Sequence, residues 1–411
     1  MRKSLTKRQV LMLLTICFIA NKTQRLPSLI ASNMGRNGWL VLVIMGLLDV
    51  AFLSITLLVN KMNNGRTCYG MCQRAGGAFF AKFIIAVFGL YFLLNALLPY
   101  EAVHDVFSNV LFEYLPWELY SLFIVFAVAF LACYGLTTMG RMSELFFYFI
   151  YVSFIVLIIL GAMTTNFARV LPVYDINANK LFKTCFDYSL WFGDFTLIYM
   201  FMGRVKEDDG KMGWGIIVSI VVSVALLSLG YAIFYGLYEN LAPEQTNFIS
   251  AISQFSLLNL DIGRIDWFLV LFFEMATFLS SGVYIYSAGR CICELFNIKN
   301  EKIVCIVITA IIYIVDITVF KSIGQGASKL TFFAKYAYPL VVISFPLVLL
   351  VTSLVAKNKD KKAMEKMGDA KNLSTLYSQS KIKLTQTLKK EKKSKLFAKS
   401  KKSLSQKEAG L

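Results

Sequence analysis

Histidine is almost absent from this chain of 411 residues, and the single copy, His104, is too little for the metal or triad chemistry of intramembrane hydrolases. The eight cysteines lack the spacing of a zinc site, because neither Cys68-x3-Cys72 nor Cys291-x-Cys293 has a second pair to complete it. They do not have the pattern of an oxidised disulfide framework either. We therefore expect no metal, no cofactor and no enzymatic activity.

Two further patterns are missing. The first apolar stretch follows a basic start, Arg2 to Arg8, but it has no small-residue cleavage site and runs into polar residues. We interpret it as a first membrane span with a basic anchor rather than as a signal peptide. The alternation of polar and apolar residues that is typical of a transmembrane barrel is also absent.

Apolar residues are abundant instead. They make up 57% of the chain, above the 45–50% of ordinary soluble domains. Runs such as Trp39–Val59, Leu145–Met163 and Ile216–Leu237 reach the ~20 residues that cross a bilayer. Because lipid offers the backbone no hydrogen-bond partner, such runs must be helices. The composition predicts an all-α polytopic membrane protein.

We predict ten transmembrane spans and a cytoplasmic location for both termini. The spans are placed at 9–31, 38–60, 78–104, 117–136, 142–163, 180–203, 213–237, 266–296, 302–320 and 333–355. Lys and Arg gather in the segments assigned to the inside, whereas the loop around 100–118 has acidic residues alone. The loop between the seventh and eighth spans contains an apolar insert, Phe248–Leu258, which fits either a short helix over the outer vestibule or a disordered loop.

The chain divides by composition into a permease-like membrane domain, 1–355, and a lysine-rich tail, 356–411. The tail has 17 lysines and five acidic residues, so it carries +12 of the formal net charge of +17. Its composition predicts disorder. It is either a solvated cytoplasmic tail or a tether to anionic membrane lipid. Nucleic acid is not expected as a partner, because no folded reader accompanies the basic segment.

Two spans are interrupted by polar residues, and they are the first span of each half of the predicted fold. The first span is broken around Asn21–Pro27 and the sixth around Ser189–Asp194. Interruptions at matching positions of two halves indicate the site of an inverted-repeat transporter. The predicted ligand-binding residues are Asn21, Lys22, Thr23, Gln24, Arg25, Ser189, Gly193 and Asp194. Alternatively, the first break is a re-entrant N-terminus, or Lys22 and Arg25 snorkel to an interface.

Other charges fall within predicted spans, among them the carboxylates Asp49, Glu274 and Asp316. A charged side chain at the bilayer centre costs ~2.5–3.5 kcal/mol on insertion scales, so each is a candidate functional group. Each could carry a proton or pair with Lys22 or Arg25. The alternative is a neutral carboxyl or an ion pair that serves packing alone.

The order and spacing of several motifs resemble those of the spore-germination receptor B-subunit family, the GerAB-like permeases of the amino acid–polyamine–organocation superfamily. The motifs are Leu11–Leu14, Pro27, Gly38–Trp39, Arg141–Phe146, Leu171–Val173, Phe192–Asp194, Arg264–Trp267, Ser281–Arg290 and Leu295–Phe296. The resemblance covers roughly residues 5–355. This chain departs from the family pattern at Ala20–Arg25, where small residues are usual, and in its long lysine tail.

The resemblance implies a LeuT-like five-plus-five inverted repeat with a ligand pocket between unwound spans one and six. It also implies a germinant-sensing subunit that binds a small polar ligand, commonly an amino acid, in the bacterial cell membrane or spore inner membrane. Its expected partners are a membrane A subunit and a C-subunit lipoprotein. A proton-coupled amino-acid permease is the second hypothesis, and a scaffold that has lost ligand binding is the third. Lys22 and Arg25 in the first break could favour an anionic or sugar-like ligand.

Overall fold

The computed structural model describes residues 5–63, 66–106, 116–170, 177–205, 211–245, 247–258, 266–320 and 341–359, and the described chain is helical. Contacts divide the chain into two units, Met1–Leu354 and Val355–Leu411. Residues 360–411, and with them most of the predicted tail, lie outside the described residues. The predicted division at residue 355, and the disorder beyond it, therefore stay predictions.

The helices are named here in chain order. They are α1 (Lys7–Lys22), α2 (Leu26–Met34), α3 (Trp39–Met62), α4 (Cys68–Val106), α5 (Trp117–Tyr134), α6 (Leu136–Thr164), α7 (Ala178–Asp187), α8 (Leu197–Phe201), α9 (Lys211–Tyr238), α10 (Phe248–Leu258), α11 (Asp266–Phe296), α12 (Glu301–Val315) and α13 (Val341–Lys359). A π-helical turn, Asp316–Phe320, continues α12.

Local chemistry explains several helix ends. Thr6 and Gln9 form a capping box at the start of α1, in which each side chain bonds the other's backbone amide. Gly135 has φ 82°, and this single left-handed residue separates α5 from α6. Gly77, with φ 89°, kinks α4 in the same way. Glycine is suited to both positions because a side chain there would strain the backbone.

Helix overlaps every predicted span, but several boundaries were wrong. α6 begins at Leu136 rather than at 142, because the single residue Gly135 separates it from the end of α5. α4 begins at Cys68 rather than at 78, with the kink at Gly77 just before the predicted start. α13 continues to Lys359 rather than ending at 355, since lysine is a good helix former, and residues 333–340 lie outside the described residues.

Six helices of the described chain are long and apolar enough to cross a membrane: α3, α4, α6, α9, α11 and α13. A shorter apolar helix, Ser121–Tyr134, lies within α5. Large apolar side chains such as Phe79, Phe126 and Ile159 are exposed on the outside of the bundle, as expected for a surface that faces lipid. The count of ten spans stays a prediction.

Helix α11 is the central element of the bundle. Of its most apolar window, 72% is buried, against 33% for α3 and for α6. It packs against α1, α4, α5, α6, α10 and α12. The predicted helix in the apolar insert is confirmed, because α10 spans Phe248–Leu258 and packs on α6, α9 and α11. α1 and α8, which adjoin the two predicted interruptions, both pack on α11.

Close approach of α3 and α9 gives a stability prediction. A Cβ atom on Gly46 would lie 2.7 Å from both Cγ atoms of Val224, which is β-branched and stiff, whereas one on Gly213 would meet Leu57 at an ordinary 3.5 Å. We expect Gly46→Ala to destabilise the protein by about 1–3 kcal/mol through overpacking. Gly213→Ala should be neutral or stabilising by up to about 1 kcal/mol, since alanine favours helix. The melting temperatures of the two purified variants in detergent test this, and equal values would contradict it.

Candidate ligand site at two interrupted helices

The first interruption is shorter than predicted. α1 continues through Asn21 and Lys22, so the break comprises Thr23–Arg25 alone, and α2 begins at Leu26 with Pro27 in its first turn, as predicted. The prediction was wrong about Asn21 and Lys22 because polar side chains do not break a helix when other groups satisfy them.

Two tyrosines of α9 donate to carbonyl groups on either side of this break. The hydroxyl of Tyr231 donates to the Lys22 carbonyl at 2.6 Å, and that of Tyr235 donates to the Pro27 carbonyl at 2.9 Å. The two tyrosines are four residues apart and so lie on one face of α9. An irregular backbone within an apolar bundle persists only where such partners exist.

The second interruption separates α7 from α8. Two 3-10 turns, Ser189–Trp191 and Asp194–Thr196, replace regular helix, and Gly193 between them has φ 97°. The Gly193 amide donates to both carboxylate oxygens of Asp49 on α3, at 3.0 and 3.3 Å. Its carbonyl accepts from the Tyr91 hydroxyl on α4 at 3.1 Å. Neighbouring helices thus bind both backbone polar groups of Gly193.

An ion pair joins the two interruptions. Lys22 Nζ lies 2.6 Å from Asp194 Oδ2 and 4.0 Å from Asp49 Oδ2. The other Asp194 oxygen, Oδ1, accepts from Asn21 Nδ2 at 2.6 Å and from the hydroxyl of Tyr284 on α11. All five side chains are buried, and Lys22 is 0% exposed. We call these residues the ionic centre.

Aromatic rings complete the surroundings of the Lys22 ammonium group. Nζ lies 3.8 Å from the ring centroid of Phe18 and 4.8 Å from that of Phe192. Cation–π attraction contributes about 2 kcal/mol when the cation is desolvated, as it is here. The Lys22 ammonium group is therefore bound by carboxylate groups and aromatic rings of the protein itself.

A second polar cluster begins two residues further along the chain. Gln24 Nε2 donates to Glu274 Oε1 at 3.2 Å and to Thr277 Oγ1 at 2.7 Å, both on α11. Gln24 Oε1 accepts from Asn247 Nδ2 at 2.8 Å. The second Glu274 oxygen, Oε2, is buried and has no hydrogen-bond partner among the described residues. We call these four residues the Glu274 cluster.

One small cavity lies beside the ionic centre among the described residues. A cavity of about 20 Å³ touches Asp49 and Asp194 and is otherwise apolar, lined by Leu14, Phe18, Leu53, Phe195, Ile216 and Ile220. Such a volume holds about one water molecule. In this conformation, a ligand the size of an amino acid cannot enter without rearrangement of the two broken segments.

A larger cavity, of about 480 Å³, lies at the end of the bundle that contains Arg204. Arg204 Nη2 pairs with Glu301 Oε1 at 2.6 Å, and Nη1 donates to the hydroxyl of Tyr286. Burial lowers the pKa of the Arg204 guanidinium from its usual value. Arg290, also at this cavity, pairs with Glu294 on its own helix at 3.2 Å. One of these two ion pairs thus joins the segment after α8 to the start of α12, and the other lies within α11.

The structure brings together some predicted site residues and not others. Those in contact across the interruptions are Asn21, Lys22, Gln24, Asp49, Gly193, Asp194 and Glu274. Thr23 donates to carbonyls of its own helix, and Ser189 donates to the Phe186 carbonyl. Arg25 is partly exposed at the start of α2. Asp316 is buried after α12, which packs on α5 and α11, and is not among the partners of Lys22 or Asp194.

Sequence reasoning missed several residues that complete the site. They are Phe18, Tyr91, Phe192, Tyr231, Tyr235, Asn247 and Tyr284. A buried tyrosine hydroxyl needs a partner, so the pair Tyr231 and Tyr235, four apart in an apolar run, was the available signal. Asn247 could not be paired with Gln24 from sequence, because 223 positions separate them.

The described residues contain no group of three or more His, Cys, Asp and Glu side chains placed to hold a metal ion, and the eight cysteines are free thiols.

Six apolar helices around a buried ionic centre at two interrupted helical segments define an integral membrane protein of permease-like build. The chain belongs to the spore germination protein family, whose spore-permease family model matches residues 4–322. This confirms the resemblance stated from the sequence. Comparison with curated proteins gives no match.

The ionic centre gives a second stability prediction. Lys22→Met and Asp194→Asn should each destabilise the protein by about 3–5 kcal/mol, because each leaves an uncompensated buried charge. The double variant should lose less than the sum, with a coupling of about 1–3 kcal/mol. Unfolding of the purified proteins in detergent measures this. Lys61→Met, at an exposed lysine near the end of α3, is the control and should be neutral. Additive effects of the two substitutions would contradict the pairing.

Proposed function

We propose that this protein is the ligand-sensing membrane subunit of a spore germination receptor. The observation that carries the proposal is the buried Lys22–Asp194 ion pair, at 2.6 Å, between two interrupted helical segments. Membership of the spore germination protein family supports it. The ligand is a small polar molecule bound where these segments meet.

We further propose ten spans in a LeuT-like five-plus-five repeat, with both termini in the cytoplasm. In this arrangement α1 with α2 is the first span and α7 with α8 is the sixth. Each half then opens on an interrupted span followed by four others, ending with α6 and with α13. The matching position of the two interruptions supports the repeat, since inverted-repeat carriers place their ligand between such segments.

Ligand recognition would exchange partners within the ionic centre. An anionic or hydroxyl group of the ligand competes with Asp194 for the Lys22 ammonium, and the start of α2 offers partial positive charge to a carboxylate. The cavity that touches Asp49 and Asp194, of about 20 Å³, is too small for an amino acid, so binding there would use a second, more open arrangement of the broken segments. The ligand selects that arrangement to the extent that it binds it more tightly.

The readout of a sensor would be this shift in packing. Opening the centre moves α2 and α8 relative to the helices that hold them, α9 on one side and α3 and α4 on the other. A membrane A subunit and a C-subunit lipoprotein are the proposed partners that receive the change. Neighbouring genes for these two subunits would support the receptor, whereas a solitary gene would favour a carrier.

A proton-coupled amino-acid permease is the second candidate function. The observation in its favour is an excess of buried carboxylates among the described residues: Asp49 and Asp194 share Lys22, and Glu274 has no ion pair there. An unpaired carboxylate in an apolar interior either takes up a proton or costs several kcal/mol. Such groups are suited to carry protons in step with a substrate.

Replacement of Asp194 tests the placement of the ligand site. Asp194→Asn removes the charge that holds Lys22, so we expect the response to germinants to be abolished while the protein still reaches the membrane. The response is followed as the fall in optical density of a spore suspension against amino acids and simple sugars. Asp187→Asn, in the same broken segment but outside the ionic centre, should keep the wild-type dose-response curve. An unchanged curve for Asp194→Asn would refute the placement.

Proton movement separates the two candidate functions. Proteoliposomes that contain a proton-coupled carrier should show alkalinisation of the outer medium when an amino acid substrate is added, because protons enter with it. A receptor subunit should bind the amino acid with no such change. Binding without alkalinisation would count against the permease, and alkalinisation that Asp49→Asn and Glu274→Gln remove would count in its favour.

A further inference from the structure

The cavity of about 480 Å³ at the Arg204 end of the bundle shares no lining residue with the ionic centre. We call it the Arg204 cavity. Its walls come from the junction of α5 and α6, the segment after α8, the second half of α11 and the start of α12. Pockets that bind small molecules measure about 300–1,000 Å³, so this cavity has room for a ligand or for the polar end of a larger one.

Positive charge exceeds negative charge in the lining of this cavity. Arg204, Arg290 and Lys302 line it, against Glu294 and Glu301. The two carboxylates are paired with the two arginines, whereas Lys302 is exposed and forms no ion pair with a described residue. Burial and the nearby charge of Arg290 both lower the pKa of Arg204. An anion in the cavity would compensate the surplus charge and offset the repulsion between the two guanidinium groups.

Hydrogen-bond donors accompany this charge. The Arg290 side chain is 6% exposed, and it donates through Nε to Glu294 at 3.2 Å and through Nη1 to the Met200 carbonyl at 3.0 Å. Its third nitrogen, Nη2, makes no hydrogen bond to a described residue. Leu136 and Thr137, the first two residues of α6, also line the cavity, and no side chain caps this end of the helix. A guanidinium group beside a helix N-terminus is suited to bind phosphate.

The border of the cavity is apolar and belongs to the outside of the bundle. Tyr134, which lines the cavity, is exposed, and its ring centroid lies 4.5 Å from that of the exposed Phe130 on the same helix, α5. Ile303, next to Lys302 on α12, is exposed as well. Exposed apolar side chains of this kind face lipid in a membrane protein. A charged cavity beside such a surface fits a molecule that joins an anionic head to apolar chains.

We propose that the Arg204 cavity binds the phosphate group of an anionic phospholipid, whose acyl chains lie along α5 and α12. Lys302 and Arg290 supply charge to the phosphate, and the start of α6 supplies backbone donors. This end of the bundle is the predicted cytoplasmic side, where basic pockets between membrane helices bind lipid head groups. Arg290 is also bonded to Met200 in α8, so the bound lipid would stabilise the position of the second interrupted segment. The proposal does not depend on the proposed function.

The test measures lipid binding to the full-length protein, purified in a neutral detergent and a phosphate-free buffer. Short-chain phosphatidylglycerol, phosphatidylcholine with the same chains, and inorganic phosphate are compared by the concentration dependence of the melting temperature. We expect stabilisation by phosphatidylglycerol, and none by the other two at equal concentration. Lys302→Glu reverses the charge of an exposed side chain and should weaken phosphatidylglycerol binding by about 10- to 30-fold.

Two variants and one native thiol control for general electrostatics and for location. Lys299→Glu makes the same change of net charge at an exposed lysine outside the cavity, and it should bind as the wild type does, as should Lys302→Arg. Cys133 lines the cavity and is partly exposed, whereas the other seven cysteines are buried. Phosphatidylglycerol at ten times its dissociation constant should slow the reaction of Cys133 with N-ethylmaleimide by about tenfold, in the wild type and in Lys299→Glu.

Several results would overturn the proposal. Equal stabilisation by phosphatidylcholine would show that the head-group charge is not recognised, and equal stabilisation by inorganic phosphate would show a site for a free anion. Unchanged binding in Lys302→Glu, or equal weakening in Lys302→Glu and Lys299→Glu, would remove the assignment to this cavity. So would a rate of Cys133 alkylation that saturating phosphatidylglycerol leaves unchanged. No stabilisation of the wild type by phosphatidylglycerol would refute the proposal outright.

Discussion

A primary ammonium group buried in an apolar bundle requires a carboxylate, and the centre of this protein is organised around that requirement for Lys22. The carboxylate comes from Asp194, on the other interrupted segment, so meeting the charge requirement also fixes the two segments together. Asp194 in turn is held by Asn21 and Tyr284, and Asp49 stands as a second anion. Because each member is oriented by others, no single side chain can leave without exposing an unpaired group to an apolar surrounding.

The broken backbone sets the second condition. Helical interruptions leave backbone groups without their helical partners. Tyrosine hydroxyls and a carboxylate bond the backbone around both breaks: Tyr231 and Tyr235 at the first, Tyr91 and Asp49 at the second. Asp49 thus serves twice, as an acceptor for the Gly193 amide and as an anion near Lys22. This double duty explains why an aspartate is found in the middle of α3, where a charge would otherwise be costly.

Much of the fold follows from the sequence, and less of the site does. Apolar runs give the long helices, and the insert that forms α10 could be bounded correctly because its apolar stretch is flanked by polar residues. The breaks were located because Pro27 and Gly193 are strong local signals. The start of α6 was predicted wrongly, because it is set by the single residue Gly135. The first break was predicted too long, because Asn21 and Lys22 stay helical. The pairing of Gln24 with Asn247 and Glu274 depends on contacts between distant parts of the chain, which spacing does not reveal.

The position of Gly193 has a mechanical consequence. Its amide donates to Asp49 on α3 and its carbonyl accepts from Tyr91 on α4, so two neighbouring helices hold the backbone at this residue. A movement of α8 about this residue either breaks one or both of these hydrogen bonds or moves α3 and α4 with it. The first costs hydrogen bonds in an apolar interior, and the second requires packed helices to move together. Because both movements cost free energy, two hydrogen bonds to a single glycine stabilise the observed position of α8.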